Sequence, residues 1–307
     1  MSVRSRWAPL RALALACVPL LCATAAMSGC ASSFRPSNHL VAGPRGAIAA
    51  VALPGHRVAI LAGSPMSKGI FIVDLTTGAL HRSFSVTKEA TGIAAEGGDG
   101  PLLISVGAVN NRGRAVGAVE RWTMDGQKLR VAPMPAEALG ISRVVQGVAY
   151  VLVGHGAART AVPLYLPSMH VGPALPLDAN AKSIQQCLIG STPYLLYSGS
   201  APNGGTPIVV RQVETGMVVR SSVSGESPTC LQGRQQVFAL QRTFAAGSIV
   251  VLGIPTLLQQ GLVPASSDVT TLIETDDHRL AALNSTSRLS NIEVFSDSAL
   301  AMKAPQK

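Results

Sequence analysis

The chain is short of charged and aromatic side chains, which make up 13% and 4% of its 307 residues. With 47% hydrophobic residues, this composition excludes a disordered chain and a coiled coil. One uncharged apolar stretch, residues 12–34, approaches the length needed to cross a bilayer, which excludes a polytopic membrane protein. The sequence has no G-x-x-x-x-G-K-[ST], H-E-x-x-H, C-x-x-C or G-x-S-x-G motif. The common motif-bearing enzyme classes are therefore excluded, and enzymes that assemble a site from distant loops remain.

The N-terminus has the pattern of an export signal. Residues 1–11 carry Arg4, Arg6 and Arg11 and no acid, and the apolar stretch follows directly. A positive segment followed by a short apolar segment is typical of secretory signals. Loss of residues 1–29 would lower the formal charge from +9 to +6.

The end of this signal, MSGC at residues 27–30, resembles the lipobox of bacterial lipoproteins. The resemblance implies cleavage before Cys30 and attachment of diacylglycerol and palmitate to that cysteine. It implies a lipid-anchored extracytoplasmic protein of the cell envelope, and Ala31 and Ser32 imply the outer membrane where the host has one. Two alternatives remain open: cleavage after ATA at residues 23–25 would release the protein, and an uncleaved apolar stretch would be an anchor helix.

The rest of the chain repeats with a period of about 44 residues. A turn followed by an apolar run recurs with spacings of 45, 47, 43, 43 and 43, at Gly55, Gly100, Gly147, Gly190, Gly233 and Asp276. About twenty residues later, several units carry a second apolar run that ends in an Asp/Thr-Gly turn, at Gly78, Gly126 and Gly216. A further short strand follows each of these turns.

Four short strands in each of six repeated units predict an all-β fold, a six-bladed β-propeller of four-stranded antiparallel blades. We expect three segments: a signal peptide at residues 1–29, a lipidated flexible tether at 30–45, and the propeller at 46–307. The expected blades are 46–89, 90–136, 137–180, 181–226, 227–267 and 268–307. The last unit is one strand short, and residues 40–42 are predicted to supply that strand and close the ring.

The hairpin FIVDLTTG at residues 71–78 resembles the repeats of YVTN and quinoprotein-like propellers of bacterial envelopes, which are WD40-like in architecture. This resemblance implies a shape and no particular reaction. The alternative architecture is a pair of β-sandwiches or an open all-β domain.

Two groups of residues are candidates for chemistry. Cys187 and Cys230 occupy the same position in successive repeats, so we expect either a disulfide between blades or two buried free thiols. The densest set of potential metal ligands is ETDDH, which contains Glu274, Asp276, Asp277 and His278. Its position at a turn favours local backbone hydrogen bonding over metal binding.

These observations favour a non-catalytic module that binds a protein, an envelope polymer or a small ligand, with no catalytic residue, cofactor or metal predicted. The membrane is an expected partner through the N-terminal lipid, and nucleic acid is not, because the basic residues are dispersed. The alternative is a propeller enzyme, lactonase- or quinoprotein-like. Three or more Asp, Glu, Asn or His side chains at one mouth of the channel would favour that alternative. A channel lined by Gly, Ala, Ser and Val, with an apolar patch on a face of the ring, would favour a binding module.

Overall fold

A computed structural model describes residues 38–110, 113–201, 204–242, 247–286 and 290–300. The described residues form twenty-five strands and one short helix. Strands β1 to β9 are His39–Gly43, Ala47–Leu53, Arg57–Ser64, Ser67–Asp74, Leu80–Val86, Ala90–Ala95, Leu102–Val109, Ala115–Trp122 and Lys128–Met134. Strands β10 to β18 are Glu137–Ile141, Val148–His155, Ala158–Tyr165, His170–Val171, Leu175–Pro176, Lys182–Ile189, Thr192–Ser198, Pro207–Gln212 and Val218–Ser224. Strands β19 to β25 are Glu226–Cys230, Gln236–Arg242, Gly247–Gly253, Leu258–Ala265, Val269–Glu274, Leu280–Ser285 and Ser290–Val294, and helix α1 is Asp297–Leu300.

The strands form six antiparallel sheets, one per blade. Blades 1 and 2 are β2-β3-β4-β5 and β6-β7-β8-β9, blade 3 contains β10 to β14, and blades 4 and 5 are β15-β16-β17-β18 and β19-β20-β21-β22. The first strand of each blade is innermost, and these inner strands are neighbours in ring order, from β2 through β6, β10, β15, β19 and β23 back to β2. The prediction of a six-bladed all-β propeller is confirmed.

Blade 6 contains strands from both ends of the chain, in the order β1-β25-β24-β23. Val41 lies opposite Ile292 in this pairing, and its side chain is buried while that of Leu40 is 61% exposed. The predicted closure by residues 40–42 is therefore confirmed. Strand β1 begins within the segment 30–45, which the sequence also suggested as a tether.

The hydrophobic core is divided among the six interfaces between neighbouring blades. Strand β3 shows why: Val58 and Ile60 pack against blade 6, whereas Ala59 and Leu61 pack against blade 2. Alternate residues of a strand point to opposite faces, and both faces of each blade are covered. Continuous apolar runs result, and each fully buried Leu, Ile or Val contributes about 1.5–3 kcal/mol.

Blade 3 departs from the four-strand pattern. Its outer strand is divided into β13 and β14, which both pair with β12. Pro173, which lies between the two pieces, has no backbone N–H to donate to a ladder. The interruption is confined to the rim of the ring.

Among the residues that the structure describes, no helix is long and apolar enough to span a membrane. Cys30 and the rest of the predicted signal, residues 1–29, lie outside the described residues.

Candidate functional site

One end of the central channel is surrounded by the six turns that join each inner strand to the second strand of its blade. These turns contain the repeat positions at which the sequence period was recognised, from Gly55 in blade 1 to Asp276 in blade 6. We call this end of the ring the mouth-side face, and the end formed by the turns between second and third strands the opposite face. The repeat signal in the sequence therefore marks the rim of the channel.

The mouth-side face contains a cavity of about 210 Å³, here called the mouth. Residues from all six blades line it: Ala50, Val51, Ala52, Ala95, Gly97, Arg143, Val144, Gln185, Thr229, Gln232, Ile273, Glu274, Thr275 and His278. A neighbouring cavity extends outward across blades 3 to 5 and shares Arg143, Val144 and Gln232 with the mouth. Small apolar residues form the wall on the side of blades 1 and 2, and polar side chains project from blades 3 to 6.

Arg143, which follows β10 in blade 3, connects three other blades across the mouth. Its Nε donates to the backbone carbonyl of Gln186 at 2.6 Å, and its Nη2 lies 3.0 Å from Sγ of Cys230. Its Nη1 donates to Glu274 of blade 6. One guanidinium therefore holds blades 4, 5 and 6 to blade 3 at the centre of the ring.

Glu274, at the end of β23, is the acidic partner in this network, and its side chain is only 7% exposed. Its Oε2 accepts from Arg143, and its Oε1 accepts from the backbone N–H of Gln232 and lies 2.9 Å from Nδ1 of His278. Both carboxylate oxygens thus have partners within the protein. A buried carboxylate that is paired and hydrogen-bonded in this way has its desolvation compensated.

The disulfide between Cys187 and Cys230 lies beside this network. It joins inner strands β15 and β19, and the two Cα atoms are 6.1 Å apart, within the usual range for disulfides. Both cysteines are buried in the interface between blades 4 and 5. Near the narrow axis of the ring, equivalent positions in adjacent blades come close enough to be bridged.

The four potential metal ligands of residues 274–278 divide into two pairs. Glu274 and His278 face the mouth, whereas Asp276 and Asp277 face His56 of blade 1. Asp276 accepts from the His56 backbone N–H at 2.9 Å, and its Oδ1 lies 3.4 Å from the His56 Nδ1. Sequence reasoning did not connect His56 with these acids, because 220 residues separate it from Asp276.

Asp277 is held by its own turn. Burial raises the pKa of this carboxyl, but hydrogen bonds from Thr275 and Arg279 outweigh that effect, so the pKa lies below its ordinary value. The Arg279 Nε is 2.6 Å from Oδ2 of Asp277. The Arg279 guanidinium therefore bonds to the Asp277 carboxylate oxygen that lies nearer to His56.

A second buried polar group lies between blades 3 and 4. The Tyr197 side chain is buried and hydrogen-bonded to Asp178, which also pairs with Arg220 at 2.7 Å. Burial, reinforced by the negative charge of Asp178, raises the pKa of Tyr197 to about 12. This group lies outside the mouth and stabilises the blade interface.

The mouth therefore combines small residues with a bonded polar network. Among the described residues that line the mouth, two are Asp, Glu, Asn or His, namely Glu274 and His278. A metal-dependent cofactor would need carboxylate or carbonyl oxygens directed toward it. Both Glu274 oxygens are directed to protein donors, so this carboxylate does not offer an oxygen to such a group.

The comparisons with known proteins concern the fold. No protein-family model matches the sequence, and no curated protein matches it. The structure is similar to that of TolB from Acinetobacter baumannii, with a TM-score of 0.52 and 12% identity, over 82% of this chain and 55% of TolB. This chain thus spans about half the length of that protein.

Two glucose dehydrogenase structures are also similar. One gives a TM-score of 0.57 at 12% identity, over 84% of this chain and 99% of the enzyme. The other gives 0.56 at 11% identity, over 85% and 99%. At this level of identity the likeness concerns the fold alone, and it supports the six-bladed β-propeller expected from the repeats.

Proposed function

We propose that the protein is a lipid-anchored, extracytoplasmic propeller that binds a protein or an envelope polymer at its mouth-side face and catalyses no reaction. The mouth offers a shallow recess at the centre of a rigid ring. Propellers present variable turns on such a frame, so recognition requires no catalytic constellation.

One observation carries this proposal: the only carboxylate among the described residues lining the mouth is already bonded on both oxygens. Glu274 is bonded to Arg143, to the Gln232 backbone and to His278. Glu274 therefore has no oxygen available to exchange a proton with a substrate, as a carboxylate that acts as a general acid or base must. The network instead fixes the shape of a recess whose exposed groups can form hydrogen bonds.

The proposed location has two supports. The segment before Cys30 has the pattern of a lipoprotein signal. The disulfide between Cys187 and Cys230 suits an oxidising compartment outside the cytoplasm. Mass spectrometry of the purified protein should find diacylglycerol and a further acyl chain on residue 30, and Cys30→Ser should move the protein from the membrane to the soluble fraction.

Site-specific photocrosslinking in the native envelope tests binding at the mouth. A photoreactive phenylalanine analogue replaces the exposed Gln232 beside the mouth, or Met66 on the opposite face, which is 81% exposed. We expect one defined adduct from position 232 and none from position 66. Ala52→Trp, which fills the recess, should abolish the adduct in a protein that remains folded.

Crosslinking from position 66 alone, or equal crosslinking from both positions, would show that the mouth is not the binding face. The enzyme alternative is favoured by one observation, the convergence of Arg143, Glu274 and His278 in a single recess. Turnover of a lactone or oxidation of a sugar by the purified protein, lost in a folded His278→Ala variant, would favour the enzyme.

A further inference from the structure

The chain joins the propeller on the mouth side of the ring. Strand β1 pairs with β25 so that His39 lies opposite Val294 and Gly43 lies opposite Ser290. The next residue after β25, Phe295, donates its N–H to the carbonyl of Leu280, directly after the mouth-side turn of blade 6. The N-terminal end of β1 therefore lies at the mouth-side face.

This attachment is fixed from the first described residue. The Asn38 side chain donates to Glu293 at 2.7 Å, and Nε2 of His39 lies 2.8 Å from the Leu75 carbonyl of blade 1. Seven residues, and therefore eight Cα–Cα steps, separate Cys30 from Asn38. A fully extended segment of that length spans at most about 26–29 Å.

From this geometry we infer that the anchored propeller presents its mouth-side face to the bilayer that holds its acyl chains. The inference rests on the lipid anchor of the proposed function and adds the orientation of the binding face. In this orientation the mouth faces the lipid surface.

The reverse orientation would use most of the length of the tether. With the opposite face toward the lipid, the segment would have to run back along the outer edge of blade 6. The six-residue strand β24 alone spans about 20 Å. Most of the available reach would be consumed before the acyl chains entered the bilayer.

Ion pairs neutralise part of the charge on the mouth-side face. Three of its exposed or half-exposed arginines, Arg57, Arg234 and Arg279, are paired with Asp99, Asp297 and Asp277 respectively. Since paired surface charges attract a charged membrane weakly, the short tether sets the orientation. The orientation should therefore be insensitive to salt.

Energy transfer to a labelled bilayer tests this inference on the full-length lipidated protein. The protein is reconstituted in negatively charged phosphatidylethanolamine–phosphatidylglycerol vesicles that carry a headgroup acceptor, with a donor dye on a single introduced cysteine. Thr76→Cys places the dye on the mouth-side face of blade 1, and Met66→Cys places it on the opposite face of the same blade. The eight residues of β4 separate these sites, so they lie about 25 Å apart. Ser191→Cys adds a second mouth-side position, in blade 4.

We expect transfer from positions 76 and 191 to exceed transfer from position 66 by roughly twofold, the direction set by that separation. The difference should persist at 0.5 M NaCl, where the screening length falls to about 4 Å. Inserting twenty Gly/Ser residues after Ser33 should remove it.

Equal or stronger transfer from position 66 in the acylated protein would overturn the orientation and leave the anchor intact. A difference abolished by salt would also overturn it, because charge would then set the orientation. Residue 30 without acyl chains, by mass spectrometry of the same sample, would overturn the anchor and the orientation together. The unsubstituted protein, treated with the same dye, controls for labelling of Cys187 and Cys230.

Discussion

The ion pair between Arg143 and Glu274 makes a quantitative prediction about stability. Breaking a buried ion pair by removing one partner costs about 3–5 kcal/mol. The Glu274 side chain is 7% exposed and that of Arg143 is 22% exposed, so solvent offsets part of the loss. We therefore expect Glu274→Gln and Arg143→Met each to lower the free energy of unfolding by about 2–3 kcal/mol.

The double variant should lose less free energy of unfolding than the two single variants together, because each single variant leaves a charge without its partner. We expect a coupling energy of about 2 kcal/mol. For a body of this size, each single loss corresponds to a decrease in Tm of about 5 °C. Urea unfolding followed by the fluorescence of Trp122 measures these values at a site in blade 2, away from the mouth.

The exposed pair of Arg57 and Asp99 on the same face provides the matched control. Its side chains are 35% and 70% exposed, so Arg57→Met, Asp99→Asn and the double variant should give a coupling below about 0.5 kcal/mol. Additivity at Arg143 and Glu274 within about 0.5 kcal/mol would refute the reasoning that this pair holds the centre of the ring.

Three further predictions concern other parts of the ring. Val41→Ala should lower the free energy of unfolding by about 1–2 kcal/mol, because Val41 is buried in the closing strand. Leu40→Ala, at a 61% exposed position, should change it by less than about 0.5 kcal/mol. Chemical denaturation measures both values. Thiol titration of the denatured, unreduced protein should find no free thiol at positions 187 and 230. Given the 43-residue separation, a Cys187→Ser, Cys230→Ser double variant should lower the free energy of unfolding by about 4 kcal/mol. Because the folded pKa of Tyr197 is raised to about 12, the unfolded chain releases this proton first, so the free energy of unfolding should fall as pH rises from about 10 to 12. Tyr197→Phe should make that fall shallower. An unchanged slope in this variant would contradict the assignment.

The architecture could be predicted because each blade repeats the same pattern. Turns such as Gly190 and Gly233 recur at a constant spacing, and the apolar runs that follow them are buried on both faces. The closing strand could also be predicted, because the last unit lacked one strand. Residue 30 and the signal lie outside the described residues, and their roles remain predictions.

The mouth was harder to predict, because its key residue carries no motif. Arg143 lies in an irregular segment, and its partners Gln186, Cys230 and Glu274 follow it by 43, 87 and 131 residues. These separations are close to one, two and three repeats. In a ring, residues at one repeat position meet around the axis, so aligning the units would have brought the four together.

The pairing of β1 with β25 has a consequence for biosynthesis. Val41 and Ile292 are partners in one ladder, although almost the whole propeller separates them in sequence. A chain that emerges N-terminus first holds its first strand without a partner until the last one arrives, and the entropy of closing so long a loop is lost only then. A product truncated before residue 290 would leave β1 without its partner and the outer edge of β24 unpaired, and such edges recruit other chains. Only a chain that includes residues 290–294 can therefore pair both of these strands.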